Sequence, residues 1–200
     1  MLIKVCGMRS IEQVHEVDGI ADYVGFIFYK KSKRFENSTP VVTNAQKVGV
    51  FVNASFEEIS KRIADHSLDV IQLHGNETPE FCAQFAPDIS IIKAFGIDSD
   101  FKFETTADYE AHVDVFLFDT KTPQHGGSGQ QYDWSMLAKY NGSTPFFLSG
   151  GIRPNSLNEI KSFEHARFVG IDLNSGFENS PGDKDIAQLK QFIEQLKKQS

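Results

Sequence analysis

Eight short apolar runs punctuate the chain, at residues 2–6, 23–28, 48–52, 70–73, 89–95, 115–118, 146–148 and 168–171. Most are rich in β-formers and nearly continuous rather than alternating, the pattern of parallel strands buried on both faces. Between them, apolar residues recur at helical spacing: Phe56, Ile59 and Ile63; Phe81, Cys82 and Phe85; Leu157 and Ile160; Ile186, Leu189, Ile193 and Leu196. Helix starts are marked as well. Ser10-Ile11-Glu12-Gln13 and Ser55-Phe56-Glu57-Glu58 have the form of capping boxes, Thr78-Pro79 offers a cap with proline at the first helical position, and Asp133 and Asp183 are further cap candidates.

Strand and helix therefore alternate, and a parallel sheet is the economical way to bury both. Eight units of about 25 residues predict an α/β fold of the eight-fold parallel β/α (TIM) barrel type, one domain spanning residues 1–200 with short loops. A doubly wound open sheet is the alternative, but it rarely needs eight near-equal units. Two helices are poorly marked. Residues 39–46 carry little helical signal, and residues 101–112 mix Thr105 and Thr106 into an unclear pattern.

In such a barrel the active site is built at the carboxyl ends of the strands, and here those ends are polar. Strand one ends in Cys6-Gly7, strand two runs into Tyr29 through Arg34, strand four ends in Gln72-Leu73-His74-Gly75, and strand six gives Asp119-Thr120-Lys121. Ser149-Gly150-Gly151 and Asn174-Ser175-Gly176 follow strands seven and eight, where barrel enzymes commonly hold phosphate on backbone N–H groups. The glycine-rich segment His125-Gly126-Gly127-Ser128-Gly129-Gln130 either covers a ligand or is a flexible connection.

Asp119 closes an apolar run, a place where burial favours the protonated form and suits a general acid; a structural pairing with Lys121 or a loop N–H is the plainer alternative. Cys6 is the complementary base or a small buried hydrophobe. Strand periodicity puts Lys4 on the same face as Cys6, where a cation favours the thiolate. Arg34 offers a fork for a carboxylate, and His74 reads as a hydrogen-bonded strand-end residue.

Composition narrows the partners. The net charge of −7 argues against nucleic acid, whose phosphates demand a basic face, but leaves a small phosphorylated ligand open. Two distant cysteines fit a reducing, cytoplasmic setting, no segment reads as a leader, and no apolar run approaches the roughly 20 residues of a membrane span. The histidines and cysteines show no metal-ligand spacing, and no GxGxxG follows the first strand, so neither a metal nor a cofactor is expected.

Taken in order, these motifs carry a family resemblance over essentially the whole chain. Lys4-Val5-Cys6-Gly7, Gly25 through Tyr29 with Ser32-Lys33-Arg34, Val48 through Val52, Gln72-Leu73-His74-Gly75, Phe118-Asp119, Gly126 through Gly129, Leu148 through Gly151, and Gly170-Ile171-Asp172 through Ser175-Gly176 resemble phosphoribosylanthranilate isomerase. The resemblance implies a cofactor-free Amadori rearrangement of N-(5-phosphoribosyl)anthranilate in tryptophan biosynthesis, by a monomer or homodimer. It assigns Asp119 as general acid and Cys6 as general base, Arg34 to the anthranilate carboxylate, and the loops after strands seven and eight to the phosphate. The expected substrate-binding set is then Arg34, His74, Gly127, Gly129, Gly150, Gly151, Asp172, Asn174, Ser175 and Gly176, with Asn174 standing where a serine would also be expected. A non-catalytic sugar-phosphate-binding barrel is the alternative; having both a proton donor and a proton acceptor counts against it.

Overall fold

A computed structural model describes residues 1–85, 87, 89–121 and 132–198. All eight expected strands are present, as β1 (Leu2–Val5), β2 (Tyr23–Ile27), β3 (Gln46–Phe51), β4 (Val70–Leu73), β5 (Ser90–Ile97), β6 (Val115–Thr120), β7 (Phe146–Leu148) and β8 (Phe168–Leu173). Each pairs in parallel with its neighbours in chain order, and β8 closes on β1 through Leu2↔Gly170 to Val5↔Leu173. The sheet is a closed barrel, not an open doubly wound one.

Two apolar layers hold it. Cys6, Val48, Val50, Val70, Ile92, Ala94, Leu117 and Phe147 point inward and fill the barrel. The alternate positions, among them Phe51, Ile71, Phe116 and Leu148, face outward and pack with helix residues such as Val14, Ile59, Ile160 and Leu189. Polar Lys4, Gln72 and Asp172 are also buried. Lys4 and Asp172 are register partners on adjacent strands, and Gln72 pairs in register with inward-facing Val50 and Ile92, so all three belong to the inner layer.

Helices α1 (Ile11–Asp18), α2 (Phe56–His66), α3 (Pro79–Cys82), α4 (Leu157–Ser162) and α5 (Ile186–Lys197) follow strands one, three, four, seven and eight. Ser10, Ser55 and Thr78 cap as their sequences predict, each accepting from the N–H three residues on. The poorly marked segments are not α-helical. After β2 no helix forms, because the Asp18 carboxylate collects the N–H groups of Thr43, Asn44 and Ala45 and fixes them as an irregular loop. Phe103–Tyr109 is a 3-10 turn in which Thr105 and Thr106 hydroxyls bond the carbonyls of Lys102 and Phe103, the local competition that weakens threonine in helices. Trp134–Lys139, capped by Asp133, is likewise 3-10.

One expected cap is wrong. Asp183 does not start the last helix; it lies on β10 (Asp183–Lys184), which forms a small antiparallel hairpin with β9 (Glu178–Ser180). Pro181-Gly182 makes the turn, with Gly182 at φ +85°, and Asp185 caps α5 by accepting from Gln188 N–H at 3.0 Å. Two strands of three and two residues with polar sequence give no periodic signal, which is why Asp183 looked available. Among the described residues no helix is long and apolar enough to cross a membrane.

Candidate active site

Cys6 continues β1, its N–H donating to Leu173 O at 2.9 Å, and its side chain turns into the barrel with 3% of the residue exposed. Glycine on the neighbouring strand makes this possible: a Cβ at Gly25 would stand 2.9 Å from the Cys6 Sγ. Lys4, on the same face, is completely buried and donates from Nζ to Asp172 Oδ1 at 2.7 Å, while Ser149 Oγ donates to Asp172 Oδ2 at 3.2 Å. The expected cation is therefore beside the thiol. It does not dominate. Burial pushes the Cys6 thiol up, Lys4 pulls it down, Asp172 adds to the rise, and the net direction is up. Lys4 itself is pulled down by burial, but Asp172 and Cys6 outweigh that and leave it raised, so it stays an ammonium.

Asp119 sits near the end of β6, 16% exposed, on the same face as inward-pointing Leu117. Its Oδ1 accepts from Thr120 N–H at 2.8 Å, and its Oδ2 lies 3.5 Å from His74 Nε2. Gln72 Nε2 donates to His74 Nδ1 at 2.8 Å, an arrangement that puts the ring proton on Nε2, toward Asp119. The Gln72 Oε1 is buried without a hydrogen-bond partner among the described residues. The turn after His74 is fixed from outside the barrel. Glu77 accepts from Asn53 and Gly75 N–H groups, and Lys93 donates to Glu77 and to the Gly75 carbonyl at 2.8 Å each.

The loops after β7 and β8 meet. Gly150 and Gly151 both take positive φ, and a Cβ on Gly150 would collide with Thr120 and lie 3.1 Å from Asp119 Oδ1. Ser175–Phe177 forms a short 3-10 turn whose Gly176 packs directly on the Ile152 carbonyl, where no side chain fits. Gly150, Gly151, Ser175 and Gly176 thus line one edge, while the side chain of Asn174 is turned away to accept from Lys184 Nζ at 2.9 Å. Asp172 lies on β8 inside the barrel rather than in the loop. Gly127, Gly129 and the segment around them lie outside the described residues.

Arg34 comes to the same mouth. A Cβ at Gly7, at φ +73°, would stand 2.7 Å from Arg34 Cδ, so glycine lets the arginine stem cross the end of β1 beside Cys6. Its guanidinium is held by Glu178, with Nε 2.9 and 3.0 Å from the two carboxylate oxygens and Nη2 2.6 Å from Oε2. Lys184 donates to Glu178 Oε1 at 2.7 Å. Gly7, Gly25, Glu178 and Lys184 were absent from the expected set; the Pro181-Gly182 turn signal is the one feature that could have drawn attention to the hairpin.

Comparison with known proteins agrees on one family. The sequence model of the family described as N-(5'phosphoribosyl)anthranilate (PRA) isomerase matches residues 3–195. The N-(5'-phosphoribosyl)anthranilate isomerase of Parabacteroides distasonis is 50% identical over 206 residues, covering 98% of this chain and 93% of that protein. Among solved structures, phosphoribosyl anthranilate isomerase from Thermotoga maritima superposes with a TM-score of 0.85 at 36% identity, over 98% of this chain and 99% of that one. A phosphoribosyl anthranilate isomerase crystallised with reduced 1-(o-carboxyphenylamino)-1-deoxyribulose 5-phosphate superposes with a TM-score of 0.83 at 32% identity, over 98% of both chains.

Proposed function

The chain belongs to the N-(5'-phosphoribosyl)anthranilate isomerase family, enzymes of tryptophan biosynthesis, and from that membership we propose that Cys6 and Asp119 are its base and acid. The substrate is N-(5-phosphoribosyl)anthranilate. Asp119 gives a proton to the furanose ring oxygen as the bond from that oxygen to C1 breaks, and the nitrogen lone pair forms the Schiff base. The Cys6 thiolate then takes the proton from C2, leaving an enolamine. In the last step C1 gains a proton and the C2 hydroxyl loses one, which yields 1-(2-carboxyphenylamino)-1-deoxyribulose 5-phosphate. Protons balance across the three steps, as an isomerisation requires.

The order of the groups around the barrel carries this reading. Asp119 lies near the end of β6, the paired glycine loops follow β7 and β8, Cys6 directly follows β1 and Arg34 follows β2. A phosphate held at the β7 and β8 loops leaves its sugar between acid and base, and an attached anthranilate extends past Cys6 toward Arg34. The ligand of the crystallised relative carries both a carboxyphenyl group and a 5-phosphate, the two ends this arrangement would grip. His74, with Nε2 3.5 Å from Asp119 Oδ2, is placed to return a proton to the acid between turnovers.

Loss of anthranilate-type fluorescence on addition of freshly prepared substrate tests the proposal, with Cys6→Ala and Asp119→Asn beside the parent chain. Each variant should remain folded and slow by roughly 10²-fold or more, the scale of a lost acid or base. Binding of substrate by the parent without turnover would replace catalysis with the sugar-phosphate-binding alternative.

A further inference from the structure

Arg34 and Glu178 come from opposite ends of the sequence and from elements that share no strand or helix, yet their pairing is specific. The carboxylate takes the side edge of the guanidinium, Nε and one hydrogen of Nη2. Arginine presents a second fork, made by Nη1 and the other hydrogen of Nη2. Among the described residues Nη1 makes no hydrogen bond. We propose that Glu178 is a positioning residue that holds Arg34 by its side edge so that the end-on fork faces the substrate carboxylate. This rests on the assignment of that carboxylate to Arg34.

The hairpin is built to hold Glu178 still. Gln13 on α1 donates from Nε2 to Asp183 Oδ1 at 2.8 Å and to Lys184 O at 3.0 Å, and accepts from Lys184 N–H at 3.0 Å, which clamps β10 to the first helix. Gly182 N–H donates to Glu178 Oε1 at 3.2 Å across the turn. Lys184, buried, spends its ammonium on Glu178 and on Asn174, so the brace runs from the carboxylate-binding end to the β8 loop. Charge follows the same logic. Arg34 and Lys184 both bind the one carboxylate, although burial and the neighbouring Arg34 push Lys184 down against the pull of Glu178. Burial pushes Glu178 up, but Arg34 and Lys184 outweigh it and keep it ionised.

Binding of two probes by isothermal titration calorimetry tests the proposal: reduced 1-(2-carboxyphenylamino)-1-deoxyribulose 5-phosphate, and the same compound with a phenyl ring in place of carboxyphenyl. The readout is the ratio of their affinities on one protein, from which a reduced folded fraction cancels. Arg34→Ala should collapse the preference for the carboxylated probe. Glu178→Gln should lower that preference by roughly tenfold, the scale of a charge-assisted fork losing its alignment, and leave the phenyl probe within about threefold. In turnover the same variant should raise KM and keep kcat within about threefold. If Glu178→Gln does not fold, Glu178→Asp, which draws the carboxylate back by one methylene, should give an intermediate loss. A preference unchanged or increased in the Glu178 variants, with Arg34→Ala behaving as stated, overturns the positioning role and in the second case makes Glu178 a competitor for the arginine. A preference that survives Arg34→Ala overturns the assignment of the carboxylate itself.

Discussion

Gly25→Ala adds one methyl group on β2, directly beside the Cys6 sulfur, and should disable the enzyme through that contact. The new Cβ would meet Cys6 Sγ at 2.9 Å and Cys6 Cα at 3.2 Å, where ordinary contact begins at 3.4 Å. The β1 backbone is held by its ladders to β2 and β8 and cannot retreat cheaply, so the sulfur must give way by about half an ångström or change rotamer. Overpacking of this kind costs about 1–3 kcal/mol of stability. Catalysis suffers as well: misplacing a reacting group by about 1 Å costs about 10²-fold, so half an ångström costs about tenfold and a changed rotamer more. The assay is steady-state turnover by fluorescence with urea unfolding alongside. Gly19→Ala is the control, because a Cβ there meets nothing within 4 Å. The expected result is a kcat lower by about tenfold or more with KM within about threefold, and a Gly19 variant that matches the parent. A folded Gly25→Ala enzyme with kcat within a factor of about three would refute the placement of Cys6 in the chemistry.

Lys4→Met removes the cation from a carboxylate buried inside the barrel and should cost about 3 kcal/mol in urea unfolding, most of it restored in the double variant with Asp172→Leu; a single variant within about 1 kcal/mol of the parent contradicts the pairing. Because burial raises the Cys6 thiol, log(kcat/KM) should climb with pH through neutrality and past the ordinary thiol range near 8.5, and Lys4→Met should move that limb higher, since it removes the group that opposes the rise; a plateau by pH 7 would exclude Cys6 as the titrating base. Burial pushes Asp18 up, but the N–H groups of Ala45, Thr43 and Asn44 and the Thr43 hydroxyl outweigh it and hold its carboxyl well below the usual range. The folded chain then binds fewer protons at Asp18 than the unfolded chain, so this stability is present above the ordinary value near 3.9 and is lost as pH falls below it; Asp18→Asn should flatten that acid slope in urea unfolding, and an unchanged slope would refute the linkage.

The barrel was legible because its signal is repeated. Eight buried parallel strands each leave an apolar run, and Ser10, Ser55 and Thr78 announce helices that form as expected. The failures are local. The loop before β3 is organised by Asp18, a residue 25 positions away from Thr43, and no window of sequence shows that a carboxylate will claim those N–H groups. Asp183 misled for a similar reason, since polar strands of three and two residues have no period to read. At the site, residues whose chemistry is intrinsic, such as Cys6, Arg34 and Asp119, stood out. Glu178 and Lys184 did not, because their importance comes from Arg34 more than 140 residues earlier, and Gly25 matters only for what it leaves empty beside a sulfur.

The division of labour between Cys6 and Asp119 is tested most directly by the deuterium isotope effect on turnover of substrate labelled at C2, measured in the parent, in Cys6→Ala and in Asp119→Asn. If Cys6 takes the C2 proton and Asp119 opens the ring, the slowed Cys6→Ala enzyme is limited by breaking that bond and shows a full primary effect. Asp119→Asn is then limited by the earlier ring opening and shows almost none. A full primary effect in Asp119→Asn, or its loss in Cys6→Ala, would contradict the assignment.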